Sequence, residues 1–63
     1  MQSFKDIMGE NIAFESFKEL ALDEQRDVVT NKITAYLVEY NDSIYSVDKD
    51  TYDALASHGV SQK

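Results

Sequence analysis

Glu15–Asn41 reads ESFKELALDEQRDVVTNKITAYLVEYN, and the organisation of these residues decides the fold of the 63-residue chain. Neither Pro nor Gly interrupts the stretch. Ser16-Phe17-Lys18-Glu19 has the spacing of a capping box, in which the Ser hydroxyl accepts from the backbone N–H of the third helical residue and the Glu carboxylate reaches back. Helix formers dominate until the polar cluster Tyr40-Asn41-Asp42-Ser43 ends the run. The pattern predicts one long amphipathic helix over 15–41. Val28, Val29, Thr30 and Ile33 are β-branched, which lowers the intrinsic propensity and leaves stability to packing. The alternative is a break at Ala21-Leu22-Asp23, where Asp23 caps a second helix and each half carries one ordinary stripe.

At helical spacing, Phe14, Phe17, Ala21 and Val28 share one face, with Leu20 at its edge. Leu22, Val29, Ile33, Tyr36 and Tyr40 share a second face, rotated by roughly 120° from the first. The second set recurs at spacings of 7, 4, 3 and 4, which is heptad-like but too short for a coiled coil. A helix with two apolar faces needs cover on both sides, and little chain is left to supply it. Below about 70–80 residues a single core supplies only a few kcal/mol, and disulfides, a metal or oligomerisation make up the difference. Cysteine is absent, which removes disulfides and most zinc sites. Oligomerisation remains, so size and patterning together predict a homodimer.

Twelve acidic residues against six basic ones leave a net charge of −6. Such a chain is repelled by nucleic acid and by anionic membrane surfaces, so direct binding to either is not expected. No apolar run reaches the roughly 18–20 residues of a membrane span, and the first residues lack the basic and apolar regions of a signal peptide. A soluble, cytoplasmic protein is the expectation.

Outside the central stretch, Ser3-Phe4-Lys5-Asp6-Ile7 parallels Ser16-Phe17-Lys18-Glu19-Leu20 position by position. It reads as a second Ser-capped helix start, stopped early by Gly9, in an N-terminal segment (1–13) prone to fraying. Ser43-Ile44-Tyr45-Ser46-Val47 reads as a short strand or an extended linker. A strand without a partner in its own chain is unstable, and pairing with its own copy across a two-fold axis is the economical solution. Asp48–Gly59 reads as a helix capped by Asp48 or Asp50, with Gly59 at C′, Val60 folding back as C″, and 61–63 a disordered tail.

These elements predict a mainly α fold: a long central helix, one short strand and a C-terminal helix, intertwined as a homodimer. Its shared core takes Phe17, Leu22, Val29, Ile33, Tyr36, Tyr40, Ile44, Tyr45, Val47 and Leu55. Tyr side chains, with an apolar ring and a polar tip, suit such interfaces. On the polar side Glu15, Glu19, Asp23 and Asp27 form an i, i+4 ladder, relieved in part by Lys18 and Arg26. It reads first as a solvated face, and more sharply as a carboxylate row about 6 Å apart that mimics nucleic-acid phosphates.

Catalysis finds no support. Asp48-x-Asp50 begins like an EF-hand loop, but the sixth and twelfth positions hold Asp53 and Gly59 rather than Gly and Glu. His58 has no second His or Cys with which to hold a metal or activate a nucleophile. The carboxylates sit where nothing excludes water or raises a pKa, and the two glycines are isolated stops rather than a phosphate loop. No catalytic residue, cofactor or metal is expected.

A small acidic, cysteine-free chain with a long helix over Glu15–Tyr40, a strand over Ser43–Val47 and a helix over Asp48–His58 resembles the small early proteins from the exo–xis region of lambdoid phages. The resemblance lies in length and element order across the whole chain and transfers no site residues. It implies a non-enzymatic, intertwined dimer that modulates the host early in infection and favours lytic development. The expected function is a homodimeric interaction protein that binds a host protein through an apolar or aromatic groove. The alternatives are an acidic nucleic-acid mimic blocking a basic DNA-binding protein, and a structural subunit of a larger assembly.

Overall fold

The long central helix is absent. A computed structural model, which describes residues 2–62, shows a mainly β protein. β1 (Gln2–Lys5) and β2 (Asn11–Phe14) form an antiparallel hairpin. A single 3-10 turn, Phe17–Glu19, leads into β3 (Leu20–Arg26), β4 (Ile33–Tyr40) and β5 (Ser43–Val47), a three-stranded antiparallel meander. α1 (Lys49–Ser57) follows.

The meander explains why the heptad-like spacing misleads. Leu22, paired with Val38, and Leu20, paired with Tyr40, lie on one sheet face together with Tyr36, Tyr45 and Val47. Period 2 carries the core here: Leu20 and Leu22 on β3, then Tyr36, Val38 and Tyr40 on β4. The stretch 27–32, read as mid-helix, is the turn between β3 and β4. Asp27 Oδ1 accepts from the N–H groups of Val29 (2.7 Å) and Thr30 (3.2 Å), and Asn31 adopts φ 58°. An Asx turn and a left-handed Asn reverse the chain without glycine. Thr34 is left unpaired as a bulge between Ile33 and Ala35, and its hydroxyl donates to the Gln25 carbonyl (3.0 Å). The Tyr40–Ser43 connection is a two-residue turn in which Asn41 and Asp42 both have positive φ, 53° and 63°. That is a type I′ hairpin turn.

The capping box at Ser16 exists, with Lys18 N–H donating to Ser16 Oγ (3.2 Å) and Ser16 N–H to Glu19 Oε1 (3.2 Å). It caps one 3-10 turn and not a long helix. The parallel motif at Ser3 is no helix start, since Ser3, Phe4 and Lys5 belong to β1 and Gly9, at φ 86°, lies in the hairpin loop. Asp6 organises that loop, its Oδ1 accepting from Met8 (3.0 Å) and Glu10 (2.9 Å).

The C-terminal helix forms as its residues require. Asp48 caps it by accepting from Thr51 N–H (2.8 Å). Gly59, φ 85°, donates to Ala56 O (3.0 Å) and Val60 to Leu55 O (3.2 Å), the paired bonds of a Schellman motif. The tail does not fray at once: Leu22 N–H donates to Ser61 O (2.9 Å), and Gln62 forms a parallel bridge with Leu22. Lys63 lies outside the described residues.

The hairpin and α1 lie over the same face of the meander. Phe4, Ile12 and Phe14 from the hairpin, and Tyr52 and Leu55 from α1, close a core with Leu20, Leu22, Val38, Val47 and Val60. The chain therefore builds its core alone, and the long helices that an intertwined dimer requires are missing. Its accessible surface of 4533 Å² exceeds the roughly 4,100 Å² typical of this mass, in keeping with an elongated body of 40 × 23 × 22 Å. Among the described residues no helix is long and apolar enough to cross a membrane.

Candidate peptide-binding groove

Among the described residues β1 has one strand neighbour, β2. Asp6 N–H donates to Glu10 O (3.0 Å), and alternation along an antiparallel ladder from that bonded pair sets the rest. Phe4 bonds to Ile12, whereas the N–H and C=O groups of Ser3 and Lys5 point away from β2. Side chains alternate in step: Phe4 is buried under α1, while Ser3 and Lys5 are exposed.

A cleft of about 350 Å³ runs between this outward edge and α1. All four residues of β1 line one wall, and Thr51, Ala54, Leu55 and His58, at helical spacings of 3, 1 and 3, line the other. Phe14 and Phe17 complete the lining. The aromatic rings form a connected series. His58 stacks on Phe17 at 4.6 Å with 6° between planes, Phe17 meets Phe14 edge-on at 5.1 Å, and Phe14 lies 6.0 Å from Phe4. Phe4 in turn meets Tyr45 at 5.7 Å. This series packs the hairpin, the 3-10 turn, the end of α1 and β5 against one another around the cleft.

The β3 edge is occupied and the β5 edge is occupied in part, while β2 presents a second open edge at Asn11 and Ala13. The β3 edge carries Ser61 and Gln62 and the Glu24–Arg26 ion pair (3.1 Å). Ile7 N–H donates to Ser46 O (2.9 Å) on the β5 edge.

The residues expected to form a dimer core are dispersed by the sheet. Leu22, Val47 and Leu55 are buried within one chain, and Phe17, Ile33, Tyr36, Tyr40 and Tyr45 are half-buried. Val29 is 88% exposed at the β3–β4 turn and Ile44 is 62% exposed on β5. The carboxylate ladder is not formed, because its spacing needs a helix. Glu15 lies in the bend after β2, Glu19 in the capping box, Asp23 on β3 and Asp27 in the turn. Its Asp23 member accepts from Glu24 N–H (2.8 Å) and aligns with no other ladder residue.

Two ionisable groups at α1 are displaced from their ordinary values. The hydrogen bonds from Thr51 lower the Asp48 carboxyl, and the hydrogen bond and charge of Asp53 raise the Lys49 amine. Both lie outside the cleft lining.

Sequence reasoning missed the groove because it missed β1. The usable signal was the alternation of Phe4, Ile12 and Phe14 around a loop holding Asp6 and Gly9, a hairpin pattern. Comparisons with family models, curated proteins and solved structures give no match. Of the element order behind the likeness to lambdoid early proteins, the long helix is absent, while the Ser43–Val47 strand and the helix after Asp48 are present.

Proposed function

We propose that the protein is a non-enzymatic interaction module that captures an extended segment of a partner protein as an added strand on β1. The observation that carries this reading is the pairing of an unpartnered strand edge with a helix face across a cleft lined by both apolar and polar side chains. Main-chain bonds to Ser3 and Lys5 supply affinity, and alternate side chains of the segment enter the cleft.

Ser3→Pro tests the proposal. Proline removes an N–H that faces the groove and not β2, which an edge strand tolerates. Peptides selected from a randomised octapeptide library on the wild-type protein should lose binding to Ser3→Pro, while its unfolding midpoint stays close to wild type. Selected peptides that bind the variant equally well would sink the proposal.

Self-association is a second reading, carried by a different edge. The Ile7 bond to Ser46 places the Ile44 N–H and C=O on the open side of β5. Ile7, Met8 and Ile44 are exposed there at 64%, 85% and 62%. Two copies could pair antiparallel about Ile44.

A further inference from the structure

Resting on the strand-addition reading, we infer that the segment this groove takes is acidic, with large apolar residues alternating with Asp or Glu. The argument begins with charge placement. The chain has twice as many acidic as basic residues, yet no carboxylate lines the cleft, whereas Lys5 and His58 do. Lys5 is exposed on the outward face of β1, opposite Asn11. The nearest acid in sequence, Asp6, is engaged by its own loop. On α1, Asp53 is bound to Lys49 (2.8 Å). Among the described residues the cleft lining thus carries one formally charged side chain, Lys5, on an otherwise acidic protein.

Strand geometry then dictates the ligand. Residues of an added strand that face the cleft meet Phe17 and Ala54, the apolar lining that keeps some exposure, and are apolar in turn. The residues between them point outward beside Lys5, where a directly opposed carboxylate is favourable and a directly opposed Lys is not. The overall charge of −6 opposes an acidic ligand only at long range, because charges beyond about 8 Å are largely screened at physiological salt. The contact pairs therefore decide the preference.

Three fluorescent hexapeptides test this at physiological ionic strength, each alternating Val and Phe with Glu, Gln or Lys, by anisotropy titration. The Glu peptide should bind about fivefold more tightly than the Gln peptide, with the Lys peptide weakest. Lys5→Glu should reverse the order, and Ser3→Pro should abolish binding of all three. Binding that Ser3→Pro abolishes but that ignores peptide charge, or prefers Lys, overturns the acidic preference and leaves strand addition standing. Absence of binding by every peptide at millimolar concentration overturns both.

Discussion

Leu22→Ala and Val29→Ala, measured side by side, test the fold at the point where helix and sheet diverge most. A helix over 15–41 puts both residues on one buried face. The sheet gives Leu22 0% exposure and Val29 88%. Leu22 is paired with Val38, itself 0% exposed, so truncation opens a void between two strands that cannot close in. A buried Leu→Ala change costs about 2–5 kcal/mol, and a site this well enclosed belongs in the upper half of that range. A chain of 63 residues has roughly 3–9 kcal/mol of total stability. Leu22→Ala should therefore remove half or more of it. At a urea m-value of roughly 1 kcal/mol/M, the unfolding midpoint should fall by more than about 2 M, or no transition should remain. Val29→Ala should stay within about 0.5 kcal/mol of wild type. Urea unfolding followed by far-UV circular dichroism and tyrosine emission reads both. Equal destabilisation by the two substitutions would refute the register of β3 and β4.

Asp48→Ala removes the cap of α1 and should lower the melting temperature at neutral pH. Because the folded carboxyl sits below its ordinary value of 3.8, the cap's contribution is complete above that pH and is lost as pH falls through the lower, folded value. The melting curves of wild type and variant should converge only under strong acid, and a difference that persists there would remove Asp48 as the cause. Self-association through β5 predicts a concentration-dependent mass in sedimentation equilibrium that Ile44→Lys abolishes; a wild-type monomer at millimolar concentration would exclude it.

What could be read from the sequence was local and end-weighted. The Ser43–Val47 strand, the Asp48 cap and the Gly59–Val60 stop all appear as read, because each rests on chemistry within a few residues. The central stretch was misread because two periods coexist in it. Leu22, Val29, Ile33, Tyr36 and Tyr40 satisfy helical spacing, and Leu20, Leu22, Tyr36, Val38 and Tyr40 satisfy strand alternation just as well. Tertiary pairing chose the second. The absence of glycine and proline favours a continuous helix, but Asp27 and Asn31 supply a turn through an Asx bond and a positive φ. Once the helix was assumed, two apolar faces required a second chain. The meander needs none, since the hairpin and α1 cover the face that carries Leu22 and Val38.

The state of the four outward sheet edges, on β1, β2, β3 and β5, gives the groove its meaning. An exposed strand edge invites indiscriminate pairing, and folded chains blunt it with charges, loops or cover. Here β3 is blunted by Glu24, Arg26 and the returning Ser61–Gln62 tail, and β5 in part by the Ile7 loop. β1 carries one charge, Lys5, yet Ser3 and Lys5 direct two N–H and two C=O groups at an open cleft. α1 lines the opposite wall of the cleft, with Ala54 small and exposed on it. Ala54→Trp would narrow the cleft without touching any main-chain partner, so loss of peptide binding in a folded Ala54→Trp protein would locate the segment between β1 and α1, whereas retained binding would place it elsewhere.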